Sequence, residues 1–501
     1  MIILNKVCKE YGDKTIFKDL DLTIYNSEKI GIVGLNGSGK STLLSIISQD
    51  IDVDSGSVHT NDTIGYVKQV TSYTCKDFET ISYDAMQKAD FIKTNKELNI
   101  SEDLSFNKER LKYLSGGERT KLMISSILSK SPTTLLLDEP TNHLDRKGIL
   151  WLQDRVNEFN GTVIIVSHDR DFLNNTVNKI LEVEDGKVNE FYGNYNDYKL
   201  KKQEITNSQT KKYNEQQAMK RRIERQIKEL KQNASKVDKK AKRDGSPDSR
   251  VIGFKDSIKS VAGKLGKTAV SKENRLLKEE QNFIDRPKIE KEIFYNLKSS
   301  EIASKILIKA ENLSKQYDNT LLFADSNFSI ENGEKVALIG DNGTGKTTLL
   351  KIILGEESFS GSLWKAGKLK IAYLSQEILE VQDDETIIER ASTFGILKTQ
   401  FLTNLANMNI NRNLFTNKIK NLSLGERMKI KMNELILNDF NFLILDEPTN
   451  HLDVANKEFL EKLLNDFKGA CIIVSHDKAF LDNICTKTLL IKDKRISIIE
   501  Q

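Results

Sequence analysis

Short apolar runs and longer amphipathic stretches alternate along most of this chain. Lys29–Val33, Thr133–Leu137 and Thr162–Val166 are strand-length and almost wholly apolar, the pattern of strands covered on both faces. Between the last two, Arg146–Glu158 has the spacing of a helix. This alternation predicts an α/β fold with a largely parallel sheet. After about residue 199 the pattern changes. Met219, Ile223, Ile227 and Leu230 keep a 4-4-3 spacing, and Ile258, Val261, Leu265, Ala269 and Leu276 keep 3-4-4-7. Each is one apolar stripe on a polar helix, and two such stripes predict an antiparallel helical hairpin. The only proline between Pro140 and Pro287 is Pro247, inside Asp244-Gly-Ser-Pro-Asp248, a turn signal. A first helix from about residue 198 to 241 then reaches on the order of 60–65 Å at 1.5 Å per residue. Its tip falls at residues 243–254, with Arg243, Arg250, Val251, Ile252 and Phe254 as contact candidates.

The α/β pattern occurs twice. Gly34-Leu-Asn-Gly-Ser-Gly-Lys-Ser41 returns as Gly340-Asp-Asn-Gly-Thr-Gly-Lys-Thr347, an offset of 306 residues. Leu135-Leu-Leu-Asp-Glu-Pro-Thr-Asn-His-Leu-Asp145 returns as Leu443-Ile-Leu-Asp-Glu-Pro-Thr-Asn-His-Leu-Asp453, and Ile164-Ile-Val-Ser-His-Asp169 as Ile472-Ile-Val-Ser-His-Asp477, both 308 residues on. A drift of two residues leaves room only for trivial insertions. The expected organisation is one domain at 1–198, a linker at 199–302 and a second copy at 303–501.

Charge sharpens the picture of the linker. Residues 201–280 hold 23 Lys/Arg against 11 Asp/Glu, whereas the whole 501-residue chain is only +4. A basic arm is set between two mildly acidic bodies, which points to a polyanionic partner or to a solvated spacer. No run approaches the roughly 18–20 apolar residues that span a bilayer, and the first residues lack the pattern of a signal peptide. The four cysteines, Cys8, Cys75, Cys471 and Cys485, show no C-x-x-C spacing, which fits free thiols in a reducing cytoplasm. Of five histidines, His143, His168, His451 and His476 lie in the repeated motifs, leaving only His59, read as a surface residue, so zinc chemistry is not expected.

Each G-x-x-x-x-G-K-[S/T] follows a strand and opens a helix, as a P-loop does. Its glycines let backbone N–H groups turn toward phosphate oxygens, and the helix N-terminus adds partial positive charge. Gly34, Asn36, Gly37, Gly39, Lys40, Ser41 and Thr42, with Gly340, Asn342, Gly343, Gly345, Lys346, Thr347 and Thr348, are thus candidate ATP ligands. Lys40 and Lys346 reach for the β- and γ-phosphates. Ser41 with Asp138, and Thr347 with Asp446, form candidate Mg²⁺ sites. Glu139 and Glu447 follow the strand-end aspartates, placed to orient or deprotonate an attacking water.

Leu114-Ser-Gly-Gly-Glu118 is similar to the signature sequence of ABC ATPases, and Asp-Glu-Pro-Thr-Asn-His-Leu-Asp resembles the ABC-F version of the Walker B and D-loop segment. The resemblance covers essentially the whole chain. It implies two tandem ABC-type P-loop ATPase domains, joined by a long basic α-helical hairpin linker, that close head to tail on two ATPs. Ser115 and Gly117 then cap the nucleotide at Lys346, and Ser423 and Gly425 the one at Lys40. By the same likeness Gln69 and Gln376 are Q-loop residues, His168 and His476 the switch histidines, and Tyr11 and Tyr317 the aromatics that stack on adenine. The second signature departs from the pattern: Leu422-Ser-Leu-Gly-Glu426 has Leu424 where the family has glycine, which puts the rate of the Lys40 site in question.

Phe191-Tyr-Gly-Asn-Tyr-Asn-Asp-Tyr198 resembles the lead-in to the ABC-F linker. In that family the linker enters the ribosomal tRNA exit site and approaches the peptidyl-transferase centre and P-site tRNA. Only 45 residues separate Gln69 from Leu114 and 46 separate Gln376 from Leu422, so the first domain lacks room for the extra helical arm that several housekeeping members carry there. Arg495–Ile499 reads as a final apolar strand close to Gln501, and no C-terminal coiled coil is expected. This compact form resembles the antibiotic-resistance, ribosome-protection subgroup, whose members counter lincosamides, pleuromutilins and streptogramin A. The resulting expectation is a cytoplasmic ATPase acting on the 70S ribosome (rRNA and P-site tRNA) as a monomer, without a membrane partner. The competing expectations are a housekeeping factor for stalled ribosomes, the motor of a membrane transporter and a DNA-associated ATPase.

Overall fold

A computed structural model describes residues 1–12, 14–68, 116–142, 144, 146–243, 249–280, 283–284, 304–317, 320–341, 343–375, 384–408, 410–438, 440–450 and 452–500. Contacts divide the chain into one unit of residues 1–198 and 293–501 and another of Lys199–Glu292.

The first unit holds two similar α/β layers. In the first half the strands lie in the order Ile64–Val67, Thr134–Asp138, Thr162–Val166, Lys29–Val33, Lys179–Glu184, Lys187–Tyr192. The first five run parallel and the last is antiparallel. The second half repeats that order with Ile371–Ser375, Phe442–Asp446, Ala470–Val474, Lys335–Gly340, Lys487–Lys492 and Arg495–Glu500. Each half also carries a three-stranded antiparallel sheet, built on Ile2–Tyr11 and on Ile306–Tyr317.

The sequence explains the layering. Thr134–Asp138 and Thr162–Val166 are buried at every residue, as strands with packing on both faces must be. One face meets the helix Lys40–Ile47 and the small sheet, through Leu43, Leu44, Leu136 and Ile164. The other meets Arg146–Glu158 and its neighbours through Leu135, Leu137, Leu152 and Phe172. The predicted helix Arg146–Glu158 is found at those bounds, and the predicted strand at Thr133 begins at Thr134 and runs on to Asp138.

Tight backbone turns recur with the repeat. Lys6 and Asn312, Asp19 and Asp325, Glu139 and Glu447, and Asp185 and Asp493 all have positive φ. Lys6 and Asn312 sit where pairing of the first strand of each half slips register.

In the second unit a helix begun at Tyr195 runs to Arg243, and a returning helix spans Ser249–Glu280. Lys220 pairs with Glu280 and, further along, Lys231 with Glu273. Residue number rises on one helix as it falls on the other, so the two are antiparallel. Ile227, Ala269 and Leu276 are buried in the seam. Ile223, Leu230 and Leu265 are half-buried, whereas Met219 is 43% exposed and Val261 48%. Lys220 stands nearer the seam than Met219, because its ammonium can pair with Glu280 while its methylene stem packs. The turn at Pro247 lies outside the described residues, as do the side chains of Arg243, Arg250, Val251, Ile252 and Phe254.

Candidate active sites

Strand register levels the chemistry at one sheet edge. Asp138 is opposite Val166, and Val166 opposite Ile32. The chain leaving these three strands therefore delivers Glu139, His168 and the P-loop side by side, at the carboxyl ends where α/β sheets bind ligands. In the second half Asp446 is likewise level with Val474.

The P-loop of the first half turns through Gly34, Gly37 and Gly39, all at positive φ. A Cβ at Gly34 would lie 2.5 Å from the Val183 carbonyl oxygen, so only glycine fits there. Lys40 Nζ lies over the loop, donating to the carbonyls of Gly34 at 2.9 Å and Leu35 at 3.0 Å. Lys346 does the same with Gly340 and Asp341. Thr347 Oγ1 donates to Asp446 Oδ2 at 3.2 Å. A hydroxyl and a carboxylate converging on one point are oxygen donors of the kind Mg²⁺ takes, so the residues present fit that ion. Ser41 and Asp138 occupy the matching positions, with Thr42 and Thr348 next on the same helices.

Glu139 and Glu447 are held by their backbones in left-handed conformation, φ 51° and 49°. Glu139 N–H donates to Val166 O at 2.8 Å, and Glu447 N–H to Val474 O at 2.9 Å. Their carboxylates face the two repeated histidines: Glu139 Oε1 is 3.2 Å from His168 Nε2, and Glu447 Oε1 3.4 Å from His476 Nε2. Burial, with Asp138 alongside, pushes the Glu139 carboxyl well up against the pull of Lys40 and Lys457. Burial and then Asp446 push Glu447 up to about 7, against Lys346. Burial lowers the Lys40 ammonium, and Glu139, Asp453 and Asp138 oppose that shift. A carboxyl raised by a dry site and aimed into it can take a proton from a water.

The two sites are not equivalent. The side chains of Glu139 and His168 are 5% and 10% exposed, those of Glu447 and His476 17% and 28%. The halves meet at both: Asn36 N–H donates to Asp453 Oδ2 at 3.1 Å and Val454 packs against the core of the first half, while at the second P-loop the exposed Lys147 donates to Asp341 Oδ2 at 2.9 Å. Arg170 reaches across to Glu461 at 3.1 Å.

Other predicted residues are located as follows. Ser423 caps the helix Leu424–Leu437 in a reciprocal pair with Glu426. A Cβ on Gly425 would lie 2.5 Å from Asn456 Nδ2. Gly117 is in the helix Gly116–Leu128. Gly343 and Gly345 have positive φ in the second P-loop. Tyr11 and Tyr317 are 49% and 43% exposed at the ends of their strands. Gln69, Ser115, Asn342 and Gln376 lie outside the described residues. His59 is exposed.

Sequence reading missed Lys9 and Lys315, buried beneath the two tyrosines. Lys315 Nζ is 4.4 Å from the Tyr317 ring centre and Lys9 Nζ 5.5 Å from that of Tyr11. Lys315 is anchored by Glu357 and the Ser358 carbonyl, Lys9 by Asp54 and the Asp52 carbonyl. Their common offset of 306, two residues before each tyrosine, was a visible signal. Arg170 and Lys457 gave none, because their counterparts are Lys478 and Ile149.

Two P-loops, each with a strand-end Asp-Glu pair and a histidine just past the end of the intervening strand, define a tandem ABC-type ATPase. A family model described as ABC transporter matches residues 17–142 and 323–450, and another so described matches 181–245. The chain is 35% identical to the ribosome protection protein VmlR of Bacillus subtilis, over 99% of this chain and 87% of that one. It is 32% identical to the ATP-binding protein Uup of Buchnera aphidicola, over 98% and 81%, and 29% to ABC transporter F family member 2 of Arabidopsis thaliana, over 98% and 76%. The solved structure of RNase-L Inhibitor superposes with a TM-score of 0.64 at 18% identity, over 99% of this chain and 89% of that one, a likeness of fold. The chain belongs to the ABC-F family of ATPases and hydrolyses ATP. Among the described residues no helix is long and apolar enough to cross a membrane.

Proposed function

We propose that this ATPase protects ribosomes from antibiotics. The observation that carries the proposal is the antiparallel pair of basic helices between two ATPase domains, on a chain 35% identical to a ribosome protection protein. Lysine-rich helices suit the phosphates of structured RNA, read by shape. In the cytoplasm the ATP-bound monomer enters the tRNA exit site of the 70S ribosome with its linker directed at the peptidyl-transferase centre. There residues 243–254 displace P-site tRNA or nearby rRNA, and lincosamide, pleuromutilin and streptogramin A drugs lose their pocket.

The candidate side chains divide the ATPase steps among them. Lys40 and Lys346 hold the phosphates at the P-loops. Ser41 with Asp138, and Thr347 with Asp446, would hold Mg²⁺, which would supply positive charge to the phosphate oxygens. Glu139 and Glu447 each accept the proton of the attacking water at a carboxylate oxygen, steadied by His168 and His476. Tyr11 and Tyr317 stack on adenine, and the signature residues Ser115, Gly117, Ser423 and Gly425 cap the opposite nucleotide.

Expression in a sensitive host, with growth inhibition measured against lincomycin, tiamulin and virginiamycin M, tests the proposal. Raised inhibitory concentrations that depend on residues 243–254 are expected. Unchanged sensitivity at normal expression refutes protection. In that case co-sedimentation of the Glu139→Gln, Glu447→Gln protein with 70S ribosomes in ATP identifies a housekeeping ribosome factor.

A further inference from the structure

The Glu139 site is completed by a side chain from the other half of the molecule. Lys457 lies in the helix Val454–Asp466 and is 6% exposed. Its ammonium donates to the His168 carbonyl oxygen at 3.0 Å and to Asp477 Oδ2 at 2.7 Å. His168 Nε2 in turn meets Glu139 Oε1 at 3.2 Å. Asp477 follows His476 directly and caps the helix Lys478–Ile484 through the Phe480 N–H. One buried cation thus ties the peptide of one repeated histidine to the residue after the other.

The arrangement has no mirror image. Ile149 stands where the repeat would place the matching lysine, and it packs against the first half's own core. Around Lys457 the asymmetry continues. Arg170 is 9% exposed and bound to Glu461, whereas its counterpart Lys478 is 58% exposed. Glu461 and Glu458 correspond to Gln153 and Leu150. A buried lysine is stable only while its partners stay in reach, since a buried unpaired ammonium is costly. Separating the halves removes the His168 carbonyl from it, and so takes from the His168 peptide the anchor that the second half supplies.

We propose that Lys457 is a positioning residue for hydrolysis at the Glu139 site alone, making that site competent only while the second domain is docked on the first. The proposal rests on Glu139 and Glu447 being the groups that activate water. Where Lys147 crosses to the second P-loop it is exposed and pairs with Asp341, and the Glu447 site turns over independently of Lys457.

The test separates the two sites. In a Glu447→Gln protein only the Glu139 site turns over; in Glu139→Gln only the Glu447 site does. Adding Lys457→Met to the first should lower kcat about tenfold, short of the roughly hundredfold that a 1 Å misplacement can cost, with KM changed less than about twofold. Adding it to the second should change kcat less than about twofold. Lys457→Arg, which keeps the charge, should restore most of the loss. Equal losses in the two backgrounds, or no loss in the first, overturn the proposal. If Lys457→Met proves unfolded, seen as lost ATP binding in both backgrounds, Lys457→Gln, polar but uncharged, carries the test. A drop confined to the Glu139 site then supports the proposal, and equal rates relative to each parent overturn it. Full turnover by the Glu139→Gln, Glu447→Gln protein would instead sink the assignment of the two glutamates.

Discussion

Glu447 is held at the expense of stability, and replacing it by glutamine should show how much. Its side chain is 17% exposed and its carboxyl is pushed from 4.5 to about 7, first by burial and then by Asp446. Between those values the folded protein keeps a proton that the unfolded chain has released. Stability therefore falls as pH rises across the window, by about 1.4 kcal/mol per pH unit. The full interval gives about 3 kcal/mol by pH 8, an upper figure because water and Lys346 can relax toward the charge. Glutamine has the same shape, keeps the backbone at the same φ and carries no charge, so strain cancels in the comparison. For a domain of this size about 1 kcal/mol is worth roughly 2–4 °C. The assay is thermal unfolding of wild type and Glu447→Gln, without nucleotide and with chelator, from pH 5 to pH 8. Near pH 5 the two should melt together. By pH 8 the variant's second domain should melt higher by about 3–6 °C if half of that upper figure survives relaxation. A gap that stays constant, or closes as pH rises, refutes the reasoning.

Two further outcomes follow from the same sites. Gly34→Ala places a methyl 2.5 Å from the Val183 carbonyl oxygen and should weaken ATP binding at the Lys40 site by more than about tenfold, leaving the Lys346 site unchanged; site-resolved binding of a fluorescent nucleotide checks this. Lys315→Met removes the cation beneath Tyr317, an interaction worth about 0.5–2 kcal/mol, and should weaken nucleotide binding at the Lys346 site by roughly threefold to thirtyfold. Calorimetric titration of a Glu139→Gln, Glu447→Gln background reads the change, and unchanged affinity rules out support of the ring by Lys315.

What could be read from the sequence was local. A P-loop needs glycines and a lysine at fixed spacing, and a strand buried on both faces needs an unbroken apolar run. Lys29–Val33 and Thr162–Val166 were therefore legible to the residue. The helix pair was legible in outline, but its seam was not. Whether Met219 or Lys220 turns inward depends on Glu280, sixty residues away on the other helix. The meeting of the halves was illegible for the same reason. Arg170 with Glu461, Lys457 with His168 and Asn36 with Asp453 join residues some 290 to 420 positions apart. No repeat marks the first two pairs, because the copies have diverged there.

The recurring left-handed residues make the duplication an internal control experiment. Lys6 and Asn312 share a strained backbone but not a side chain. The bulge in each opening strand dictates that shape and any tolerant residue can fill it. Glu139 and Glu447 share both the strain and the carboxylate. The backbone cost, about 1–2 kcal/mol for each such residue, is thus met at one pair of positions by architecture alone, and at the other in the service of where a single oxygen atom points.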